Sequence, residues 1–582
     1  MYKNLFVTVA FLAASLQINA QTTLAKEFKT ISNGNPISGG VYCADPTSLE
    51  YNGRLYVYGS NDHQEFLINE RQGENTYATI KSMVVLSTDD MVNWTFHGTI
   101  DAATLCSGWT PSQWYRGFMN SWAPSVTWRT HKRTKKDEFF LYFANNSHGV
   151  GVLKASSPVG PWSSPREDAL IAKDTPGALQ QSANFDPGVV IDDNGDGWIT
   201  FGGLDYDTGG TDLLPGNTRI IKLAYGMVST NGSAIEIPAP YHFEANELNM
   251  IGGKYVFTYC SNWANRKDAD WNAYKAAHGI TASKPNQATM CYMVSDDPTN
   301  PDSWVYKGEY GAHTSAPNNH SHLHKFQGNY YYLYHDHSLM DAMKSKGAAG
   351  SNSSLYRSIC VNKATVNEET ATINKVTLNL TGVTKIKNLD PYELQQAETM
   401  ATSGGIEYEH FTNITPKTSL NKLGNEASEN LQVQMKAGSW IQLRNVDFGT
   451  TGAAKLMLRA KGEGTFEIRL GSKTATAAAT VDISSADMND YSFDIDATLF
   501  QGVKTVYIVA TAATDLYLDA WQYTEADPSG IQTLESSKAL KTQRYDLSGR
   551  SLSRAQLHRG IVIEQYTEEN GVKHSRKVVP GK

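Results

Sequence analysis

Five times along this 582-residue chain a turn dipeptide is followed at once by an alternating, aromatic-rich strand. The copies are Asn52-Gly53-Arg54-Leu55-Tyr56-Val57-Tyr58, Lys136-Asp137-Glu138-Phe139-Phe140-Leu141-Tyr142, Gly195-Asp196-Gly197-Trp198-Ile199-Thr200-Phe201, Gly252-Gly253-Lys254-Tyr255-Val256-Phe257-Thr258-Tyr259 and Gln327-Gly328-Asn329-Tyr330-Tyr331-Tyr332-Leu333-Tyr334. Asn-Gly, Gly-Asp and Gly-Gly supply the positive φ that tight hairpins require, and alternating Tyr, Val and Phe are strand residues. Roughly 55 to 85 residues separate successive copies, room for one small sheet each. Radial repetition of such sheets is the β-propeller solution to exposed strand edges, so five copies predict five four-stranded blades. An all-β sandwich built of similar hairpins is the competing reading.

About 8 to 13 residues before each turn lies a short strand start of unusual composition. These starts read Ala44-Asp45-Pro46, Trp122-Ala123-Pro124, Phe185-Asp186-Pro187, Phe243-Glu244-Ala245 and Asn319-His320. In a propeller the first strands of all blades face the central axis, so these positions are expected to meet in one cavity. Three of them are carboxylates. Like charges raise one another's pKa, and such arrangements concentrate at catalytic sites. Glycosidic cleavage is the reaction that uses two carboxyl groups with separated pKa values, one to protonate the leaving oxygen and one to activate water or attack the anomeric carbon. Glu244, between Phe243 and Ala245, has the apolar neighbours and reach of the general acid; Asp45 and Asp186, each before a proline, are short and rigidly placed. The residues alone leave open which Asp is the base.

Taken together, these motifs resemble glycoside hydrolase family 43 over about residues 35 to 385, with Tyr51-Asn52-Gly53-Arg54-Leu55-Tyr56, Ser121-Trp122-Ala123-Pro124-Ser125 and Asn318-Asn319-His320 completing the ordered set. The resemblance implies an inverting enzyme on a five-bladed propeller: Asp45 the general base, Asp186 the modulator of the acid, Glu244 the acid. An inverting pair stands about 6.5 to 9.5 Å apart. It also implies substrate contacts at Trp122, His320 and Arg357, no cofactor for catalysis, and a hydrated structural calcium on the axis near His320. Trp122 as plain core and Arg357 as a surface residue are the bland alternatives. His320, His322 and His324 share a strand face by period-two geometry, which also makes a histidine metal site conceivable. Asp192-Asp193-Asn194-Gly195-Asp196-Gly197 opens like an EF-hand loop, but Gly203 stands where a bidentate Glu is needed, so it reads as a hairpin turn.

Beyond Asp390-Pro391 the aromatics thin out and Ala, Val, Thr and Leu alternate to about Thr524, the pattern of a separate β-sandwich. Glu393-Leu394-Gln395-Gln396-Ala397-Glu398, Ala437-Gly438-Ser439-Trp440 and Leu516-Tyr517-Leu518-Asp519-Ala520-Trp521 resemble carbohydrate-binding module family 6. That resemblance implies a second structural calcium near Glu398, Glu467 and Asp519. Two departures, Tyr517 where an Asn is usual and no Trp around Asn489 to Tyr491, argue against sugar binding in the family's usual cleft. After Pro528-Ser529-Gly530, the segments Tyr545-Asp546-Leu547-Ser548-Gly549-Arg550, Arg559-Gly560-Ile561-Val562-Ile563 and Arg576-Lys577-Val578-Val579 resemble a type IX secretion C-terminal sorting domain. The expected organisation is therefore all-β: a signal peptide over 1–20, a propeller over 21–388, a sandwich over 389–525 and a small β domain over 526–582.

Residues 1 to 20 carry a Lys near the start, an apolar run from Leu5 to Leu16 and a small-residue cleavage context, the pattern of a secretory signal peptide. The run is shorter than the roughly 18 to 20 apolar residues of a membrane span, so a secreted or cell-surface protein without a span is expected. Five widely spaced cysteines imply buried thiols instead of a disulfide framework. A net charge of −8 without a dense basic stretch speaks against nucleic acid, whereas 30 Tyr and 12 Trp suit stacking on sugar rings. The resemblance points to plant cell-wall polysaccharide, arabinoxylan or xylo-oligosaccharide, and to removal of α-L-arabinofuranosyl side groups. A β-D-xylosidase, or an enzyme with both activities, is the alternative; a non-catalytic glycan-binding propeller is the remoter one.

Overall fold

Each turn-and-strand copy is the hairpin between the first two strands of a blade. The protein is described here from a computed structural model over residues 22–107, 120–204, 213–314, 318–414 and 431–527, and over three C-terminal strands, Lys541–Tyr545, Val562–Thr567 and Lys573–Val578. The signal peptide, and much of the sorting-domain pattern, lie outside the described residues. Blade one is β1 (Ala44–Tyr51), β2 (Arg54–Ser60), β3 (Met83–Thr88) and β4 (Trp94–Ile100). Blade two holds β5 (Trp122–Thr130), β6 (Asp137–Ala144) and β7 (Val150–Ala155). Blade three holds β8 (Gly188–Ile191), β9 (Gly197–Gly202), β10 (Thr218–Leu223) and β11 (Thr230–Glu236). Blade four holds β12 (His242–Ile251), β13 (Lys254–Ser261), β14 (Met290–Ser295) and β15 (Val305–Gly311). Blade five holds β16 (Ser321–Phe326), β17 (Asn329–Asp336) and β18 (Ser358–Ala364). All pairings within blades are antiparallel meanders.

Two blades depart from the expected four strands. Past β7, the stretch 156–165 carries Pro158, Pro161 and Pro165, which cannot donate to a ladder; only isolated bridges at Ser163 and Ile171 tie the segment to β7. The free edge of β18 is covered by the N-terminal segment: the Ile37 N–H donates to Ile359 O at 2.9 Å, and the Asn35 side chain exchanges two hydrogen bonds with Val361 as a strand residue would. The first and last blades are thereby closed against each other.

The second expected domain is a sandwich of long, bent strands, Ala453–Leu470, Ala477–Asp494 and Val503–Glu525, over a core that includes Trp440 and Trp521. It is joined to the propeller by strand pairing as well as by packing. Its strand Thr399–Met400 pairs with β4 as a fifth strand of blade one, Thr399 opposite Thr95 and Met400 opposite Trp94. One continuous apolar core runs from Val57, Leu86 and Phe96 of the propeller through Tyr408 and Phe411 to Leu443 and Leu458 of the sandwich. All five cysteines are buried free thiols, and among the described residues no helix is long and apolar enough to cross a membrane.

Candidate active site

The inner strands start with a shared distortion. Asp45, Ala123, Asp186, Ala245 and Asn318 all have positive φ, between 39° and 62°, although none is glycine. In blades one, two and four the ladder register also slips there, just after the pairs Ala44 with Ser60, Trp122 with Ala144 and Glu244 with Cys260. A bulge of this kind turns side chains off the sheet toward the axis, and its backbone strain is typical of functional sites. The alignment corrects one expectation. Asp45 and Asp186 occupy the positive-φ position itself, but Glu244 stands one residue earlier, level with Ala44 and Trp122; Ala245 takes the strained conformation in blade four.

The five strand starts nevertheless meet in one cavity of about 200 Å³, as the repeat predicts. Asp45, Asp186 and Glu244 line it together with Trp122, His320 and Arg357. Tyr77, Ala123, Phe185, Leu204, Phe243 and Asn318 complete the wall. A larger cavity of about 640 Å³ at the turn end of blades one and five, by Gly53, Asp89 and Lys385, gathers no comparable set of buried acids.

Each acid sits in a distinct electrostatic setting. Burial works to raise the pKa of Asp45, but the Arg357 guanidinium, with the Ser60 hydroxyl, outweighs it and holds the carboxyl below the usual range. Arg357 Nη1 donates to Asp45 Oδ1 at 2.7 Å, and Ser60 Oγ donates to Oδ2 at 2.7 Å. His335 Nδ1 accepts the Asp45 backbone N–H at 3.1 Å, and burial drives its pKa well down, so this ring is neutral. Asp186 is pushed the other way by burial and by Asp45; its Oδ2 accepts the Ala245 N–H at 2.8 Å. Glu244 is raised furthest above an ordinary carboxyl, by burial, then Asp186, then Asp45, with only Arg357 opposing. The arrangement thus contains one ionised carboxylate and, at neutral pH, a proton held on the Asp186 and Glu244 pair.

The supporting residues are fixed by the same network. Asn246 Nδ2 donates to Asp186 O and to Gly202 O, while its Oδ1 faces His242 Nε2 at 2.7 Å, locking blade four onto blade three. Trp122 lines the cavity with its Nε1–H tied to Tyr77 O at 2.9 Å. Arg357 is buried rather than superficial, and its guanidinium engages two carboxylates, Asp45 and Asp62. Asp62, His335 and Tyr77 were not singled out by the sequence reading. A usable signal existed for two of them: Ser60-Asn61-Asp62 and Tyr334-His335 end or follow second strands, whose last residues reach the same face as the first strands' starts.

Burial depresses His320, His322 and His324, to about 4, 3 and 3, and His320 Nδ1 turns toward Asp45 Oδ1 at 3.9 Å while His322 Nδ1 lies 3.2 Å from Glu247 Oε1. Among the described residues no three of His, Cys, Asp and Glu are arranged to hold a metal ion. A calcium beside His320 would therefore be held by water, and no step below involves one. Glu467 and Asp519 do not fit a shared calcium, whereas Glu398 follows Ala397, whose N–H donates to Asp519 O at 2.8 Å. Glu467 is opposite Val509 and paired with Arg469 at 2.7 Å; Asp519 lies opposite Arg459 and Ala460, roughly 20 Å further along the same ladder, and pairs with Arg459 at 2.9 Å. The Asp192 side chain accepts from the N–H groups of Asn194 and Asp196 and from Trp198 and Tyr255, a hairpin cap as expected.

Comparison with known proteins agrees with this architecture. Residues 33–370 match the sequence signature of glycosyl hydrolases family 43, and residues 396–525 match that of carbohydrate binding module family 6. The chain is 33% identical over 539 residues to an arabinoxylan arabinofuranohydrolase of Paenibacillus polymyxa, covering 89% of this chain and 79% of that protein. It is 34% identical over 524 residues to an arabinoxylan arabinofuranohydrolase of Bacillus subtilis, covering 87% of this chain and 94% of that one. It is similar in structure to the crystallised glycoside hydrolase family 43 arabinoxylan arabinofuranohydrolase of Bacillus subtilis in complex with cellotetraose, with a TM-score of 0.72 and 32% identity over 87% of this chain and 99% of that one.

Proposed function

Since the chain belongs to glycoside hydrolase family 43 and is a glycoside hydrolase, we propose that it is an exo-acting, inverting α-L-arabinofuranosidase that removes arabinose side groups from arabinoxylan. The single observation that carries the mechanism is the opposite setting of two carboxyls on one small cavity, Asp45 bonded to the Arg357 guanidinium and Ser60 and held low, Glu244 buried beside Asp186 and Asp45 and pushed up. Asp45 takes the proton of a water as its oxygen attacks the anomeric carbon. Glu244 gives its proton to the glycosidic oxygen as the bond to that carbon breaks, so charge balances across the step. Asp186 holds the peptide beside Glu244 and keeps its proton in place. About 200 Å³ is below the roughly 300–1,000 Å³ of sites for drug-sized ligands, a space for one terminal sugar ring and not for a chain threaded through. Trp122 at the cavity wall supplies an apolar face for that ring.

The arabinose assignment rests on the two arabinoxylan arabinofuranohydrolases. Export is part of the same reading: the N-terminal apolar run fits a cleaved signal peptide. A type IX sorting domain at the C-terminus belongs to the same reading, where the strands Lys541–Tyr545, Val562–Thr567 and Lys573–Val578 form one antiparallel sheet. The test is the sugar released from arabinoxylan and from the nitrophenyl α-L-arabinofuranoside and β-D-xylopyranoside, with Glu244→Ala as control. Arabinose from the wild type, lost in the variant, is expected. Xylose would replace the substrate assignment with a xylosidase, and no sugar at all would overturn it.

A further inference from the structure

Behind Asp45 lies a fourth carboxylate that the proposed chemistry does not use. Asp62 opens the helix α1 (Asp62–Ile68) directly after β2 and is fully buried. It grips Arg357 side-on: Arg357 Nε donates to Asp62 Oδ2 and Nη2 to Oδ1, both at 2.9 Å. The Arg357 backbone N–H adds a third bond to Oδ2 at 3.0 Å, and Asn75 Nδ2 a fourth at 2.9 Å. The opposite corner of the guanidinium, Nη1, meets Asp45, and its face lies against the Tyr77 ring, 4.7 Å from the centroid. Two-pronged pairs of this kind fix direction as well as charge.

We infer that Asp62 is a positioning residue that acts through Arg357: by occupying one whole edge of the guanidinium, it leaves a single N–H corner for Asp45 and so sets where the base points. The inference rests on the reading of Asp45 as the base. An arginine released from Asp62 has two better options than its native contact. It can turn its fork onto Asp45, filling the acceptor positions that a water needs, or it can swing into the cavity toward sugar hydroxyls. In the native arrangement each Asp45 oxygen carries one side-chain donor, Arg357 on Oδ1 and Ser60 on Oδ2, and a carboxylate has about four acceptor sites in all. Room for the attacking water remains only while Arg357 is held back. Charge leads the same way: two carboxylates share one buried guanidinium, and removing one hands the whole cation to Asp45.

The experiment compares Asp62→Asn, Arg357→Lys, the double variant and Asp45→Asn on arabinoxylan and on the nitrophenyl arabinofuranoside. A displaced base slows attack whatever the leaving group. Asp62→Asn is therefore expected to lower kcat on the order of 10²-fold, equally on both substrates, with KM within about twofold. Arg357→Lys keeps the charge but loses the fork and should lose kcat in the same pattern, and this variant carries the test if Asp62→Asn does not fold. The double variant should be little worse than either single one. Wild-type kcat in Asp62→Asn, a loss confined to KM, a loss confined to the poor leaving group, or additive effects in the double variant would each overturn the inference. An active Asp45→Asn would instead overturn the assignment of the base.

Discussion

Asp186 on blade three accepts the backbone N–H of Ala245 on blade four at 2.8 Å, so one carboxylate grips the peptide next to Glu244. The same carboxyl is also among the groups that raise the Glu244 pKa, after burial itself. Geometry and proton affinity of the acid are thus set by one side chain. Replacing Asp186 with Asn removes a like charge, so Glu244 holds its proton less tightly. The basic limb of the pH profile of kcat/KM should move to lower pH. Activity on arabinoxylan should fall about 10²- to 10⁴-fold, the range for a general-acid contribution. An unshifted basic limb would separate the two roles.

The wild-type profile itself follows from the same settings. Asp45 must be ionised, and its pKa is held below the usual carboxylate value of about 3.9, but Asp62, pushed up to about 6 by burial, is protonated first as pH falls and releases Arg357. Glu244 must be protonated, and its pKa is well raised, so activity persists until pH rises through that one. The expected bell, measured as kcat/KM on the nitrophenyl arabinofuranoside, therefore has its acid limb set by Asp62 before Asp45 titrates and its basic limb set by Glu244. Removing the Arg357 guanidinium, as in Arg357→Met, should move the acid limb up.

How much of this was legible in the sequence depends on whether a residue repeats. Asp45, Asp186 and Glu244 fall at comparable places in a five-fold pattern, so turns and strand starts are enough to locate them. The one-residue offset of Glu244 was not legible, because it arises from a bulge whose strained residue in blade four is Ala245, an unremarkable alanine. Tyr77 sits deep in the connection between β2 and β3, away from any strand start or end, and therefore gives no periodic signal. The sandwich acids were misplaced for a similar reason: strand register, which puts Glu467 and Asp519 far apart on one ladder, is set by bulges between them. The fusion of sandwich and propeller also left no mark, since the pairing of Thr399 with Thr95 joins residues from distant parts of the chain.

That fusion predicts cooperative unfolding. Phe411 packs on Phe96 across the junction, ring centroids 4.5 Å apart and both buried. Arg71, just after α1, pairs with Glu407 at 2.7 Å and also with Glu409. Phe411→Ala should cost about 3 to 5 kcal/mol and lower one shared calorimetric transition, not split it into two. A propeller ending at residue 388 should expose Trp94 and Phe96 and aggregate.

A last prediction concerns Glu247, three residues past Glu244 and fully buried. Neither carboxyl oxygen has a hydrogen-bond partner within the described residues, although Oε1 lies 3.2 Å from His322 Nδ1. Burial raises its pKa far above the ordinary value and depresses His322 to about 3, which favours a neutral acid beside a neutral imidazole. An acid whose folded pKa is raised contributes stability below its unfolded pKa, about 4.3, and loses it progressively as pH rises toward the folded value. Glu247→Gln keeps the shape, can still offer an N–H to His322, and cannot ionise. Near pH 4 the variant and the wild type should melt together; near pH 9 the variant should melt several degrees higher. A variant less stable than the wild type at pH 9 would mean that Glu247 is ionised in the fold, with a cation beside it.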